Sequence, residues 1–215
     1  MKILITAGPT HEPIDPVRFI GNHSSGKMGI AIAEEFAIAG NVVTLIKGAT
    51  TLNPLNNSIK QINVQTAAEM FEACTQYFSS ADVIVFAAAV ADYTPKFPSA
   101  TKIKKKEEEF SIELVKTKDI ALELGKQKRK NQIVVGFALE TNDEEQNAIE
   151  KLKKKNLDFI VLNSMRDEGA GFKNDTNKIT IIDKEGNVTK FDLKTKAEVA
   201  KDILAYTNKI LKQRL

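Results

Sequence analysis

Tryptophan is absent from this 215-residue sequence, cysteine occurs once and histidine twice. The single cysteine, Cys74, cannot close an internal bridge, which excludes a disulfide scaffold and agrees with a reducing, cytoplasmic setting. His11 and His23 lack the spacing of a metal motif, so no metal-ligand set is read from them. No apolar run approaches the roughly twenty residues that a membrane-spanning helix needs. The opening Met1-Lys2-Ile3-Leu4-Ile5 passes directly into a polar turn and is too short for a secretory leader. Charge of one sign is also missing: 31 Lys and Arg face 28 Asp and Glu, a net of +3. That balance excludes a general nucleic-acid binder and makes any anion recognition local. What is present is an ordinary globular composition, 42% hydrophobic and 27% charged, long enough to bury a sizeable core.

Buried-strand and amphipathic-helix patterns alternate along the chain. Met1 to Thr6, Val42 to Ile46, Asp82 to Phe86, Ile133 to Phe137 and Asp158 to Leu162 read as apolar, β-branched strands. Helical spacing runs from Gly26 to Ala37, from Thr66 to Phe78, from Asp119 to Gly125, from Asp143 to Lys155 and from Thr195 to Lys212. Such alternation predicts right-handed βαβ units and a parallel sheet. Residues 7–23 read as a long polar connection and 93–106 as a loop, followed by a half-exposed strand at Phe110 to Val115. Lys178 to Asp183 and Val188 to Leu193 read as a hairpin outside the main sheet. The expectation is one three-layer, Rossmann-like α/β domain over residues 1–215, with a mostly parallel sheet and a β excursion. Apolar residues on the hairpin Lys178 to Leu193 and on the strand Phe110 to Val115 need a covering partner, so a homodimer is expected.

Gly21-Asn22-His23-Ser24-Ser25-Gly26-Lys27 satisfies most of the phosphate-cradle pattern. Met28 stands where a hydroxyl should reach magnesium, and the motif lies well beyond its strand, so a true P-loop is disfavoured. Two readings stay open: Ser24 or Ser25 caps the following helix, or the helix start receives an anion. Ala87 to Ala91 ends the third strand, where ligands of open α/β sheets bind. The small side chains allow close approach of a flat base, or simply tight packing. Asp92 is either a ligand-facing carboxylate or a turn residue. The basic run Lys102 to Lys106 reads mainly as a solvated face, partly neutralised by Glu107 to Glu109, although one lysine there could reach a phosphate. Lys151 and Lys155 share a helix face and repel each other unless an anion offsets them. Lys153 and Lys154 read as solvating the helix, and Cys74 as core.

Together these segments resemble phosphopantothenoylcysteine synthetases, over essentially the whole chain. The resemblance is carried by Ile5-Thr6-Ala7-Gly8-Pro9-Thr10, Asp15-Pro16-Val17-Arg18 and Asn22-His23-Ser24-Ser25-Gly26-Lys27-Met28-Gly29. Ala88-Ala89-Val90-Ala91-Asp92-Tyr93, Lys102-Ile103-Lys104-Lys105, Val135 to Thr141 and Lys155-Asn156-Leu157-Asp158 follow in the family's order. The resemblance implies ligation of 4'-phosphopantothenate to cysteine. CTP and Mg²⁺ serve to form an acyl-cytidylate, which cysteine's amine then converts to the amide. In many bacteria such synthetases are fused behind a flavin-dependent decarboxylase. This sequence opens on the synthetase's first strand, so a free-standing enzyme without FMN is expected, with room for a separate decarboxylase partner.

Carried over by position, Asn22 matches the asparagine that binds the acyl-nucleotidyl intermediate, and Lys102 the lysine needed to form it. Asp92, Phe137, Lys151 and Lys155 match nucleotide-binding positions, with Ala88 and Ala89 beside the base and Asp119 at the pocket's edge. Gly8, Arg18, Ser24, Ser25 and Gly26 are expected to hold phosphate or substrate. Thr117-Lys118 departs from the Asn-Pro that relatives often carry before the aspartate. Two other classes compete: a nicotinamide-dependent oxidoreductase, which lacks its glycine fingerprint here, and a non-catalytic nucleotide-binding module.

Overall fold

The computed structural model describes residues 1–104, 109–164, 171 and 174–214. Lys105, Lys106 and Glu107 of the basic–acidic run, with Glu108, lie outside the described residues. The chain opens with β1 (Lys2–Ala7), then a small hairpin of β2 (His11–Pro13) and β3 (Phe19–Gly21), then α1 (Lys27–Ile38). β4 (Val42–Lys47), β5 (Lys60–Asn63), α2 (Ala67–Phe78) and β6 (Val83–Phe86) follow. A two-stranded arm comes next, made of β7 (Tyr93–Pro95) and β8 (Leu114–Lys116). The chain continues through α3 (Ile120–Gly125), β9 (Ile133–Glu140), α4 (Glu144–Lys154) and β10 (Phe159–Ser164). It closes with β11 (Thr176–Asn177), β12 (Ile179–Asp183), β13 (Val188–Lys190), β14 (Lys194–Thr195) and α5 (Lys196–Arg214).

One eight-stranded sheet orders these strands β13-β12-β10-β9-β6-β1-β4-β5. From β5 to β10 every pairing is parallel. Its strands are buried on both faces, so they read as near-continuous apolar runs. On one face Ile3, Ile5, Val83, Val85, Val135, Phe159 and Val161 pack against α1 and α5. On the other, Leu4, Ile46, Ile84, Val134, Ile160 and Leu162 pack against α2, α3 and α4. Burying a side chain such as Phe36 of α1, fully shielded, contributes roughly 1.5–3 kcal/mol. Thr66 and Glu69 form a reciprocal capping box that starts α2.

The three-layer α/β expectation holds, with local corrections. The hairpin β12–β13 is no excursion: β12 pairs antiparallel with β10 and extends the main sheet. The connection 7–23 contains the β2–β3 hairpin, and the supposed loop supplies β7, which pairs with β8. Of the strand read at Phe110 to Val115, only Leu114 and Val115 lie in one. Strand β5 was not foreseen, because Lys60-Gln61-Ile62-Asn63 lacks an apolar pattern; it is the sheet's short, polar edge.

Candidate active site

The chain runs from β1 outward to β4 and β5, then crosses back to β6 on the other side of β1. That reversal opens a crevice beyond the carboxyl ends of β1 and β6, where doubly wound sheets bind ligands. A cavity of about 1150 Å³ occupies it, lined among others by Thr6, Phe86 to Val90 and Gly136 to Leu139. Seven lysines line the cavity (Lys27, Lys116, Lys118, Lys151, Lys154, Lys155 and Lys196) against the carboxylates Asp92, Asp119 and Glu123. A cleft with that excess of cations draws in anions.

Its floor is the start of α1. Gly26 is the N-cap, in a left-handed conformation at φ +79°, and no side chain caps the helix. The serine-cap reading is therefore corrected. The Ser24 hydroxyl accepts from the Gly26 N–H at 3.3 Å, and the Ser25 carbonyl accepts from the Thr50 hydroxyl at 2.8 Å. A Cβ on Gly26 would stand 3.2 Å from the Gly8 Cα, so Gly8 backs the turn from beneath without lining the cavity. The uncapped N–H groups at the helix start favour an anion by roughly 0.3–1 kcal/mol.

The wall is the alanine segment after β6, pinned along its length. Ala88 N–H donates to the Thr6 hydroxyl at 3.2 Å and Ala91 N–H to the Thr10 hydroxyl at 2.9 Å. The Thr117 hydroxyl donates to the Ala91 carbonyl at 2.6 Å. Asn22 donates from its amide nitrogen to the Ala89 and Val90 carbonyls at 3.1 and 3.2 Å. Both amide hydrogens are thus spent on the main chain, and what Asn22 retains for a ligand is an acceptor oxygen.

The opposite wall brings Phe137, from β9, together with the lysines of α4. Lys151 pairs with Glu140 at 2.5 Å, and Lys155, just past the end of α4, pairs with Asp119 at 3.1 Å. The second Asp119 oxygen accepts from Leu122 N–H at 3.0 Å and caps α3. Carboxylates therefore already offset the like-charge pair that the sequence raised.

Of the expected site residues, Asn22, Ser24, Ser25, Gly26, Ala88, Ala89, Asp92, Asp119, Phe137, Lys151 and Lys155 converge on this one cavity. Gly8, Arg18 and Lys102 do not line it. Lys102 is exposed. Arg18 is engaged by Asp15 at 2.5 Å instead of standing ready for a phosphate. Lys154, read as a solvating residue, is exposed and also stands at the cavity's lining.

Sequence reasoning missed Lys196, buried at the start of α5, whose ammonium donates to the Gly171 and Asn174 carbonyls at 3.1 and 2.5 Å. Burial, with Lys27 nearby, pushes its pKa down. It also missed Lys118, 4.7 Å over the ring of the cavity residue Phe71, and Asn163, whose Oδ1 is buried with no hydrogen-bond partner among the described residues. No local pattern marks these residues, since distant elements carry them to the cavity.

Fold and site together define an α/β protein with a lysine-lined cleft at the switch point of a parallel sheet. More narrowly, the chain belongs to the DNA/pantothenate metabolism flavoprotein C-terminal domain family, whose model matches residues 1–211. The chain is 45% identical to the coenzyme A biosynthesis bifunctional protein CoaBC of Bacillus subtilis (strain 168), over 98% of this chain and 52% of that protein. It is 58% identical to a cysteine/cysteine sulfinic acid decarboxylase from an unknown prokaryotic organism, over 94% of this chain and 56% of that protein. The chain thus spans about half the length of these curated relatives. The crystal structure of the C-terminal domain of a CoaBC superposes with a TM-score of 0.83 at 42% identity, covering 99% of this chain and 96% of that one.

Proposed function

We propose that this chain is a phosphopantothenate–cysteine ligase domain, activating 4'-phosphopantothenate with CTP and joining it to cysteine. The observation that carries the reading is the convergence of Asn22, the Ala87 to Val90 segment, Asp92, Phe137, Lys151 and Lys155 on one lysine-lined cleft, in a chain of this family. In the first step a carboxylate oxygen attacks the α-phosphorus of CTP. The bond to the bridging oxygen breaks, and pyrophosphate leaves. In the second, the cysteine amine attacks the acyl carbon, the bond to CMP breaks, and the nitrogen loses a proton.

Neither step needs a nucleophilic side chain. Both need anions held together, which lysines and a helix N-terminus supply. Lys151 and Lys155 would exchange their carboxylate partners for phosphate oxygens. The acceptor oxygens of Asn22 and Asn163 suit N–H or O–H groups of the substrates. Lys102 is proposed to offset charge in the first step, on the strength of the family motif.

Among the described residues no group of three or more metal-ligating side chains stands together. The cavity carboxylate Asp92 does fit Mg²⁺ carried on nucleotide phosphates, which typically takes one or two protein carboxylates. When bound, that ion would neutralise phosphate charge. No helix among the described residues is long and apolar enough to cross a membrane.

The test mixes the protein with phosphopantothenate, cysteine, Mg²⁺ and either CTP or ATP, and follows pyrophosphate. Release that requires phosphopantothenate and is faster with CTP at matched low concentration is expected. No release with either nucleotide removes the reading, and equal release removes the CTP preference.

A further inference from the structure

The turn between β2 and β3 carries Asp15, whose side chain is fully shielded from solvent. Its Oδ1 accepts from the Val17 and Arg18 N–H groups, each at 2.9 Å. Its Oδ2 accepts from Arg18 Nε at 3.0 Å and Nη2 at 2.5 Å, and also from the N–H of Ile103 at 3.2 Å. Arg18 Nη2 donates in turn to the Ile103 carbonyl at 3.2 Å. Both main-chain polar groups of Ile103 are therefore held by one ion pair, some eighty-five residues away in sequence. A further bond, Ser99 N–H to the Ile14 carbonyl at 2.9 Å, ties the same segment to the same turn.

The hairpin beneath is fixed in its own right. His11 stacks on Phe19 with ring centroids 3.7 Å apart, and the buried Glu12 accepts from Ala67 N–H at 2.8 Å, at the start of α2. Asn22 follows directly on β3 and reaches the alanine segment. One braced hairpin thus carries Asn22 at one end and, at the other, grips the residue next to Lys102.

We propose that Asp15 and Arg18 are positioning residues: they clamp Ile103 so that Lys102 is held in fixed relation to Asn22 and the cleft. This rests on the ligase reading above for what Lys102 does. The Arg18 guanidinium keeps the Asp15 carboxyl well below the usual carboxylate range, so the clamp stays charged at any working pH. Isosteric Asp15→Asn keeps an acceptor for the turn but replaces the carboxylate that holds both Arg18 and Ile103.

The first readout is hydrogen exchange at the Ile103 amide, which should be slow in the wild-type protein and faster in Asp15→Asn by more than the amides of β1 and β4, whose exchange reports any general loss of stability. The second is single-turnover pyrophosphate release. Asp15→Asn should be slower by about 10–100-fold, as for a misplaced catalytic group, with CTP affinity unchanged. The double variant Asp15→Asn/Lys102→Gln should be no slower than Lys102→Gln alone, because the clamp acts through that lysine. Unchanged exchange at Ile103, a wild-type rate for Asp15→Asn, or losses that multiply in the double variant each overturn the proposal. A wild-type protein that releases no pyrophosphate, or a Lys102→Gln variant as fast as wild type, overturns instead the ligase reading; the exchange measurement then still decides whether the clamp exists.

Discussion

Small residues set how closely the elements of the cleft approach. A Cβ on Gly29 would stand 2.6 Å from the Ala7 Cβ and 2.9 Å from the Thr6 carbonyl oxygen, where β1 meets α1. The β1 backbone cannot yield as a flexible side chain can, so Gly29→Ala should push α1 and its Gly26 cap away from the sheet. A loss of about 1–3 kcal/mol, the usual range for overpacking, is expected in urea unfolding; a midpoint equal to wild type would show that α1 has slack. Cys74 is the converse case, a group removed from chemistry by its surroundings. Burial in the α2 face pushes its thiol up to about 12, from an ordinary 9.0. It should resist alkylation near neutral pH until the protein unfolds, so labelling in native buffer at the rate of a free thiol would contradict the packing. Because the folded-state value is the higher one, this thiol's contribution to stability is complete below 9.0 and is lost as pH rises towards 12.

At the scale of elements, the part of the fold legible in sequence is the part governed by local pattern. Helices α1, α2, α4 and α5 and strands β1, β4, β6, β9 and β10 bury long apolar faces or runs, and each was readable to within a few residues. Strand β5 was hidden because an edge strand can be polar, and the docking of β12 on β10 because register with a distant strand leaves no local mark. The cleft divides in the same way. Asn22, Asp92, Lys151 and Lys155 sit in recognisable motifs, whereas Lys196 and Asn163 reach the cavity only through α5 and β10. At the sheet's other end, buried Asp158 knits elements together: its carboxylate accepts from Val134 N–H at 2.7 Å, pairs with Lys128 at 2.8 Å and takes Arg214 at the end of α5. Burial, with Arg214 and Lys184 nearby, pushes the Lys128 pKa down, and Asp158 offsets only part of that. Asp158→Ala would leave three cations (Lys128, Lys184 and Arg214) and a strand N–H without this partner. Breaking such a buried pair typically costs about 3–5 kcal/mol. A change under about 1 kcal/mol in chemical denaturation would mean that water replaces the carboxylate without penalty.

For the whole molecule, the arm of β7 and β8 stands apart from the main sheet and carries Tyr93, Leu114 and Val115, with Phe97 and Phe110 on the segments beside it, all exposed. Phe97 is 76% and Phe110 58% accessible, high values for aromatic side chains. An isolated pair of three-residue strands has little stability of its own. Clustered apolar side chains on such a pair mark a surface that meets another surface. The sequence reading gave this role to the strand Phe110 to Val115 and the β12–β13 hairpin together, but that hairpin is built into the main sheet. The arm now carries the proposed homodimer alone. A second copy of the chain is its simplest partner, since two arms can cover one another about a twofold axis. Light scattering at micromolar concentration should then give a mass near twice the 23.7 kDa of one chain. The double variant Phe97→Glu/Leu114→Lys should shift that mass towards one chain while leaving far-UV circular dichroism unchanged, because neither residue belongs to the core between the sheet and its helices. A wild-type mass of one chain at those concentrations, or a dimer indifferent to both charges, would show that the arm is not the dimer surface.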